Sequence, residues 1–465
     1  MEKMDSLTQE VAEFIVRTTY QDIPLEAIKI AKRCLIDGTG VTLSGSTDKA
    51  SLILREYLKS MGGKPESSVL GSKLKVPAPS AALANGAGGH AQDFDDTQLS
   101  HSPDRISGLL THPTTPVLAA TFALGETMGI SGKEFLTAFS LGFEVECKIA
   151  EAIHPIHYGK GYHTTGTIGA FGAATAAGKI LGLSEDKMRY TLGIVASMSA
   201  GIRANFGTMT KPIHAGRAAE NGVVAARLAQ LGLTSDPHVL ENPWGFFKIL
   251  GDGFDPDKIS GRLGNPYTII DPGVSIKPYP SGVLSHPSMN AMLDLVKQYK
   301  LKPEDVAEIH LYAGSNILNP LRYALPQTGL EGKFSLPFCL TSILIRHRAG
   351  IREFSDEFVR SPEVQEMMKR VKTIHDPEIE AKGFAKILSR LEVRLKDGKI
   401  LKKDSGPYKG GPENPLSEAE LDEKSSICAE LALPREKFSR VLDLLKEIEK
   451  LQDIRLFIPL LIPDE

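Results

Sequence analysis

GAFGAATAAGKILG, residues 169–182, is built largely from glycine and alanine. Side chains this small let neighbouring helix axes approach closely, so the stretch predicts a helix sunk among other helices. The same texture extends outward on both sides. Apolar residues recur at spacings of three and four over Leu7–Thr18, Leu25–Ile36, Ala81–Ala91, Val117–Met128, Gly132–Ala152 and Glu220–Leu231, which predicts successive helices. The chain holds 43 glycines, where an average usage of about 7% would give about 33. The excess is assigned to contacts between helices rather than to loops.

The pattern changes beyond Asp271. VAEIHLYA (306–313) alternates as a half-buried strand, and LEVRLKDGKILKK (391–403) is two alternating runs around Asp397-Gly398, a hairpin signal. Helical stretches are expected at His286–Tyr299, Leu336–Arg346 and Pro362–Lys372. A loop with Pro407, Gly410, Gly411, Pro412 and Pro415 then leads to two more helices, Ser417–Ala432 and Glu436–Leu451, which return to the first body. The fold class is therefore mainly α with an α+β second domain. A discontinuous helical domain spans 1–268 plus 406–465, and a smaller α+β lid spans 269–405.

Composition removes several classes of function. Among 465 residues, 54 Lys and Arg stand against 57 Asp and Glu, with 42% hydrophobic and 24% charged residues, so disorder, collagen and coiled coil are excluded. A net charge of −3 offers nucleic acid no attraction. Cys34, Cys147, Cys339 and Cys428 are too far apart for any CxxC pair, which leaves neither a zinc ribbon nor a disulfide framework. The opening MEKMDSLTQEVAEFIVR lacks the apolar core of a secretory signal, and a cytoplasmic location is expected. The longest uncharged window, Ile106–Gly125, carries His112, Pro113 and Pro116, so it reads as a buried segment and no membrane partner is expected.

Seven of the twelve histidines fall between residues 90 and 214, which places acid–base chemistry in the helical domain. NGAGGHAQDFDDTQ (85–98) sets Asp93, Asp95 and Asp96 within four residues beside Thr97. Like charges this close raise the pKa of at least one carboxyl, although such a run also suits a solvated helix end. A calcium loop is rejected, because D-x-D-D-T lacks the glycine and the distal glutamate. His112 enters an apolar helix ahead of Pro113 and Pro116, and His163 stands before a glycine-spaced helix start whose free N–H groups favour a carboxylate. A phosphate loop fails there, since five residues separate Gly172 from Gly178 and Ile180 follows Lys179. Lys211 and Lys277 sit in proline-bearing turns suited to holding an anion, and His214 lies one helical turn from Arg217. His154 and His157 share a metal-like spacing, but Pro155 intervenes and no third ligand is evident, so no metal is assigned.

Taken together, IPLEAIKIAKRCLIDGTGVTLSG from Ile23, NGAGGHAQDFDDT from Asn85, THPTTPVLAA from Thr111, GYHTTGTIGAFGAATAAGKILGLS from Gly161, TMTKPIHAGRAAENGVVAARLA from Thr208, IKPYPSGVLSHP from Ile276 and GPENPLSEAELDEK from Gly411 resemble the MmgE/PrpD family. That family includes 2-methylcitrate dehydratase, cis-aconitate decarboxylase and iminodisuccinate epimerase. The resemblance implies a helical domain from both chain ends, an α+β lid, a homodimer, no cofactor and no metal. It further implies a small di- or tricarboxylate substrate. Catalytic roles are implied for His112, His163 and Asp93, and substrate-binding roles for Thr97, Lys211, Lys277 and Tyr323. QLSHSPDRISGLLT (98–111) departs from the tryptophan-bearing segment of dehydratase and decarboxylase members and adds His101 as a further substrate-binding candidate.

The expected activity is that of a lyase, a 2-methylcitrate dehydratase-like hydro-lyase in which histidines move protons and lysines clamp carboxylates. The alternatives are an epimerase of an iminodisuccinate-like dicarboxylate, a cis-aconitate-type decarboxylase, and a helical binding protein that keeps the fold without the chemistry.

Overall fold

A computed structural model describes residues 7–98, 111–383 and 386–464. Its larger body is a stack of helices: α1 (Leu25–Ser46), α2 (Ala78–Ala91), α3 (Thr114–Met128), α4 (Gly132–Ile153), α5 (Gly169–Ile180) and α6 (Thr210–Gln230). The N-terminus of α4 is set by a capping box, in which the Ser131 N–H donates to the Glu134 carboxylate at 2.7 Å and the Glu134 N–H donates to Ser131 Oγ at 3.3 Å.

Small residues do their packing where helices cross. A β-carbon on Gly216 of α6 would lie 2.3 Å from the Leu83 carbonyl of α2, and one on Gly45 of α1 would lie 1.9 Å from the Gly88 carbonyl. Neither distance is open to a side chain, so α6 and α1 can reach the backbone of α2 only at glycine. The quoted stretch at 169–182 behaves likewise: α5 packs on α3, α4 and α6, and its residues from Gly169 to Gly178 are all buried.

The smaller body holds α7 (His286–Tyr299), α8 (Leu336–Arg346) and a four-stranded sheet of β1 (Val306–Ala313), β2 (Val371–His375), β3 (Ser389–Leu395) and β4 (Ile400–Asp404). The strand order is β2-β1-β3-β4, with β1 and β2 parallel and the other pairs antiparallel. The β3–β4 hairpin turns at Asp397-Gly398, where Gly398 takes φ +90°. Both α7 and α8 lie against the sheet.

Some boundaries differ from the periodic reading. The expected helix Pro362–Lys372 stops at Met368, and Val371 begins the edge strand β2. Val364, Met367, Met368 and Val371 continue one helical stripe, so periodicity could not see the strand that pairing with β1 imposes. The final long helix ends at Lys446 and gives way to a 3-10 turn at Ile448–Lys450. The first five residues of the uncharged window at 106–125 lie outside the described residues, and the rest belongs mostly to the buried α3. No described helix is long and apolar enough to cross a membrane.

Apolar residues gather in two main cores. One draws on residues 7–276 and 416–461, and the other on 279–408. Helix α9 (Glu418–Ala429) packs on α1 and so joins the C-terminal segment to the first core. The chain crosses between the cores at Ile276–Tyr279, the short segment that carries Lys277.

Candidate active site

The DFDDT turn follows the C-terminus of α2, and its residues from Asp93 to Thr97 are buried. Asp93 adopts φ +50°, a left-handed conformation uncommon for a residue with a β-carbon. Three ammonium groups fasten the turn, two of them on Asp93 itself. Lys211 Nζ, from the first turn of α6, donates to Asp93 Oδ1 at 2.6 Å, and Lys277 Nζ donates to the same oxygen at 3.1 Å and to the Asp93 carbonyl at 2.8 Å. Lys333 Nζ, from the smaller body, donates to the Gln92 carbonyl at 2.6 Å and to the Pro280 carbonyl at 3.3 Å. The turn is thus fastened by one lysine from each body and one from the crossing between them.

Burial alone would raise the pKa of Asp93, but the ammonium groups of Lys211 and Lys277 outweigh it and hold the carboxyl well below the usual carboxylate range. Asp93 is therefore a fixed anion that orients two lysines. It lines the cleft described below, and its environment opposes proton transfer. The crowding of carboxylates acts on Asp96 instead, where burial, assisted by Asp37 and Asp95 against a hydrogen bond from Thr114, pushes the pKa up to about 7.

Histidines meet above this turn. The ring centroids of His90 and His112 are 4.5 Å apart, and those of His90 and His163 are 5.5 Å apart. His90 Nδ1 lies 2.8 Å from Asp95 Oδ2, while His112 Nδ1 lies 2.8 Å from the Asp96 carbonyl. A carbonyl oxygen can only accept, so His112 carries its proton on Nδ1 and presents a bare Nε2. His163 Nδ1 lies 3.0 Å from His214 Nδ1. Burial first, then the neighbouring positive groups, keep His163 well below the usual imidazole range; burial likewise lowers His112. Both are neutral near pH 7.

Asp93, Thr97, His112, His163, Lys211 and Lys277 line one cleft of about 420 Å³, together with Tyr158, Phe206, Val283, Leu284, Leu321 and Phe334. The lining is mixed in chemistry, with ammonium and imidazole groups beside the apolar Phe206, Phe334, Val283, Leu284 and Leu321. Lys211 Nζ stands 5.1 Å from each of the Phe206 and Phe334 ring centroids.

Two expected substrate contacts differ. The Thr97 hydroxyl donates to the Thr111 carbonyl at 2.9 Å, and its single proton being used, it offers the cleft an acceptor rather than a carboxylate donor. Tyr323 is not among the cleft-lining residues; its hydroxyl reaches the Phe206 carbonyl at 3.4 Å and its ring packs on Gly207, so it supports the loop that carries Phe206. His101 lies outside the described residues. His154 and His157 form no ligand pair, since both His157 nitrogens are engaged, with the Leu250 carbonyl at 3.1 Å and Thr167 Oγ1 at 2.8 Å.

Other residues of the site were not singled out from sequence. His90 and Asp95 lay within the dense stretch but carried no assigned role, and Tyr158, Phe206 and Phe334 had no signal beyond being aromatic. Lys333 is sequence-silent, and only its bond to Gln92 reveals it. One ligand atom from each of His90, Asp93, Asp95 and His112 falls within 4.8 Å of the others. The ammonium groups on Asp93 occupy the charge a cation would need, so the set does not fit a metal.

Comparison with known proteins agrees with the motif resemblance. Residues 9–259 match the MmgE/PrpD N-terminal domain and residues 279–448 match the MmgE/PrpD C-terminal domain. Cis-aconitate decarboxylase of Homo sapiens is 28% identical, covering 98% of this chain and 95% of the relative. The Mus musculus protein of the same name is 27% identical over 97% and 92%. The Aspergillus terreus (strain NIH 2624 / FGSC A1156) cis-aconitate decarboxylase is 26% identical over 98% and 96%. With two domain matches spanning most of its length, the chain belongs to the MmgE/PrpD family.

Proposed function

We propose that this protein is a lyase that decarboxylates a small tricarboxylate of the cis-aconitate type. The observation that carries the reading is that Lys211 and Lys277 share one cleft with the apolar side chains of Phe206, Leu284, Leu321 and Phe334. Decarboxylation turns an anionic carboxylate into neutral carbon dioxide, so the departing group gains from apolar surroundings while the carboxylates that stay need cations. The curated relatives named cis-aconitate decarboxylase support the same choice over the dehydratase reading.

In the proposed reaction, ammonium hydrogens of Lys211 and Lys277 that Asp93 leaves free bind the retained carboxylates. The bond between the methylene carbon and its carboxylate breaks, and its electron pair becomes the new terminal double bond. The original double-bond pair moves onto the carbon next to a retained carboxylate, where the lysines stabilise the enolate-like charge. One proton then closes the reaction. His163 is the donor, because His112 presents a bare nitrogen that can only accept.

Purified protein incubated with cis-aconitate should release one carbon dioxide per product and, in deuterated water, place one deuterium on the carbon beside the retained carboxylate. Parallel incubations with 2-methylcitrate and iminodisuccinate test water loss and α-deuterium exchange without net change. Turnover of either of those, with cis-aconitate untouched by folded protein, would overturn the proposal.

A further inference from the structure

His163 and His214 face each other nitrogen to nitrogen, with Nδ1 to Nδ1 at 3.0 Å. One of the two must donate and the other accept, so the tautomer of one ring dictates that of the other. The approach is built into the backbone. A β-carbon on Gly166 would lie 2.9 Å from His214 Cβ, and one on Gly201 would lie 3.4 Å from the His214 ring and 3.5 Å from His163 Cβ. Gly201 takes φ +147°, and its carbonyl accepts the His163 N–H at 3.0 Å. Two glycines thus bring the rings together, and Phe206 closes on His163 edge-on at 5.0 Å.

The two rings differ in access. His163 is 1% exposed and its Nε2 has no hydrogen-bond partner among the described residues, whereas His214 is half-buried. His163 lines the cleft, where this nitrogen can meet a substrate, and the half-buried His214 keeps part of its surface exposed.

We propose that His214 is a positioning residue that fixes His163 as a proton donor, by donating from its own Nδ1 to Nδ1 of His163 and so leaving the His163 proton on Nε2. The inference rests on the decarboxylase reading for its substrate, but the tautomer it specifies exists without one. When the His163 Nε2–H bond breaks and the C–H bond of the product forms, the His214 Nδ1 proton passes to His163 Nδ1, and His214 Nε2 takes a proton from water. Neither ring is left as an imidazolate. After product leaves, water reprotonates His163 Nε2, the shared proton returns to His214 Nδ1, and His214 Nε2 releases its proton.

Replacing His214 with Phe keeps the ring and removes both nitrogens, and replacing it with Ala opens a space that added imidazole can enter. Each variant should lose at least about a hundredfold in kcat on cis-aconitate, the scale of a lost proton-transfer device, with KM nearly unchanged. Imidazole in the buffer should restore His214→Ala by about tenfold or more, and should not restore His214→Phe or His163→Ala. Nitrogen NMR of the substrate-free wild type should show the His163 proton on Nε2, and that preference should vanish in His214→Phe. A His163 proton on Nδ1 in the wild type, full activity in His214→Phe, or a folded His214→Ala deaf to imidazole would each overturn the proposal. Failure of the wild type to turn over cis-aconitate while His163 keeps its proton on Nε2 would overturn the substrate reading alone.

Discussion

Lys277 concentrates the residue-scale logic of the site. It is fully buried, and its charge is tolerated because Asp93 supplies both a carboxylate oxygen and a carbonyl. Burial still lowers its pKa, with Asp93 and Asp95 opposing the shift. Lys277→Met leaves Asp93 with Lys211 as counter-ion but removes the proposed substrate cation and the anchor of a left-handed turn. We expect kcat/KM on cis-aconitate to fall by a factor on the order of 10² to 10³, as when one preorganised charge is removed, with circular dichroism unchanged. The histidines should separate under the same assay. His163→Gln removes the proposed donor and should lower kcat by about 10² to 10⁴, while His112→Gln, which loses only an acceptor, should keep a larger share of kcat and be read mainly in KM. Equal losses in kcat would show that His112 also moves a proton.

At the scale of elements, the site depends on how closely α2 and α6 can pack, since α2 ends at His90 and the Asp93 turn while α6 begins at Lys211 and His214. Gly216 and Gly86 lie where the two backbones meet; a β-carbon on Gly86 would sit 2.9 Å from the Gly216 Cα. Gly216→Ala should therefore destabilise the protein by roughly 1–3 kcal/mol, the usual range for overpacking. It should also weaken activity by moving Lys211 away from Asp93. Gly159→Ala is the matched control, because no atom of the described residues lies within 4 Å of a β-carbon there. Calorimetry should show a lowered Tm for the first variant and little change for the second; equal Tm values would remove helix contact as the reason for these glycines. Helix α9 adds a second tie to the site, because Lys424 donates to the Phe94 carbonyl at 2.9 Å and pairs with the buried Asp37 at 2.6 Å.

The whole molecule keeps an unusual set of histidines neutral. Burial is the first cause of a lowered pKa at His90, His112, His154, His157, His163, His214 and His286, with His154, His157 and His214 brought to about 4. Below pH 6.5 the unfolded chain binds protons at these seven sites that the folded chain refuses, so their contribution is complete above that pH and is lost as pH falls towards 4. Asp37, Asp48, Asp96, Glu144, Glu146 and Glu220, whose pKa values are raised by burial, act in the opposite sense. The histidines outnumber them by one, so stability should decline as the pH falls from 6 to 5. Denaturant unfolding at a series of pH values checks this, and a flat profile would show that the histidines are not neutral in the folded protein. Much of this molecule was legible in sequence because its signals are local: small-residue helices, the Asp397-Gly398 hairpin, and motif strings spread along the chain that place Asp93, His112, His163, Lys211 and Lys277. What lay beyond sequence depends on which groups meet across long separations. Only the fold makes Asp93 an anion between two lysines, turns Tyr323 to the back of a loop, spends the Thr97 proton on Thr111, and brings Lys333 to Gln92. Residue type and spacing set which chemistry is available, but a proton's position and a carboxyl's charge are fixed by partners and burial, and those exist only once the chain has packed.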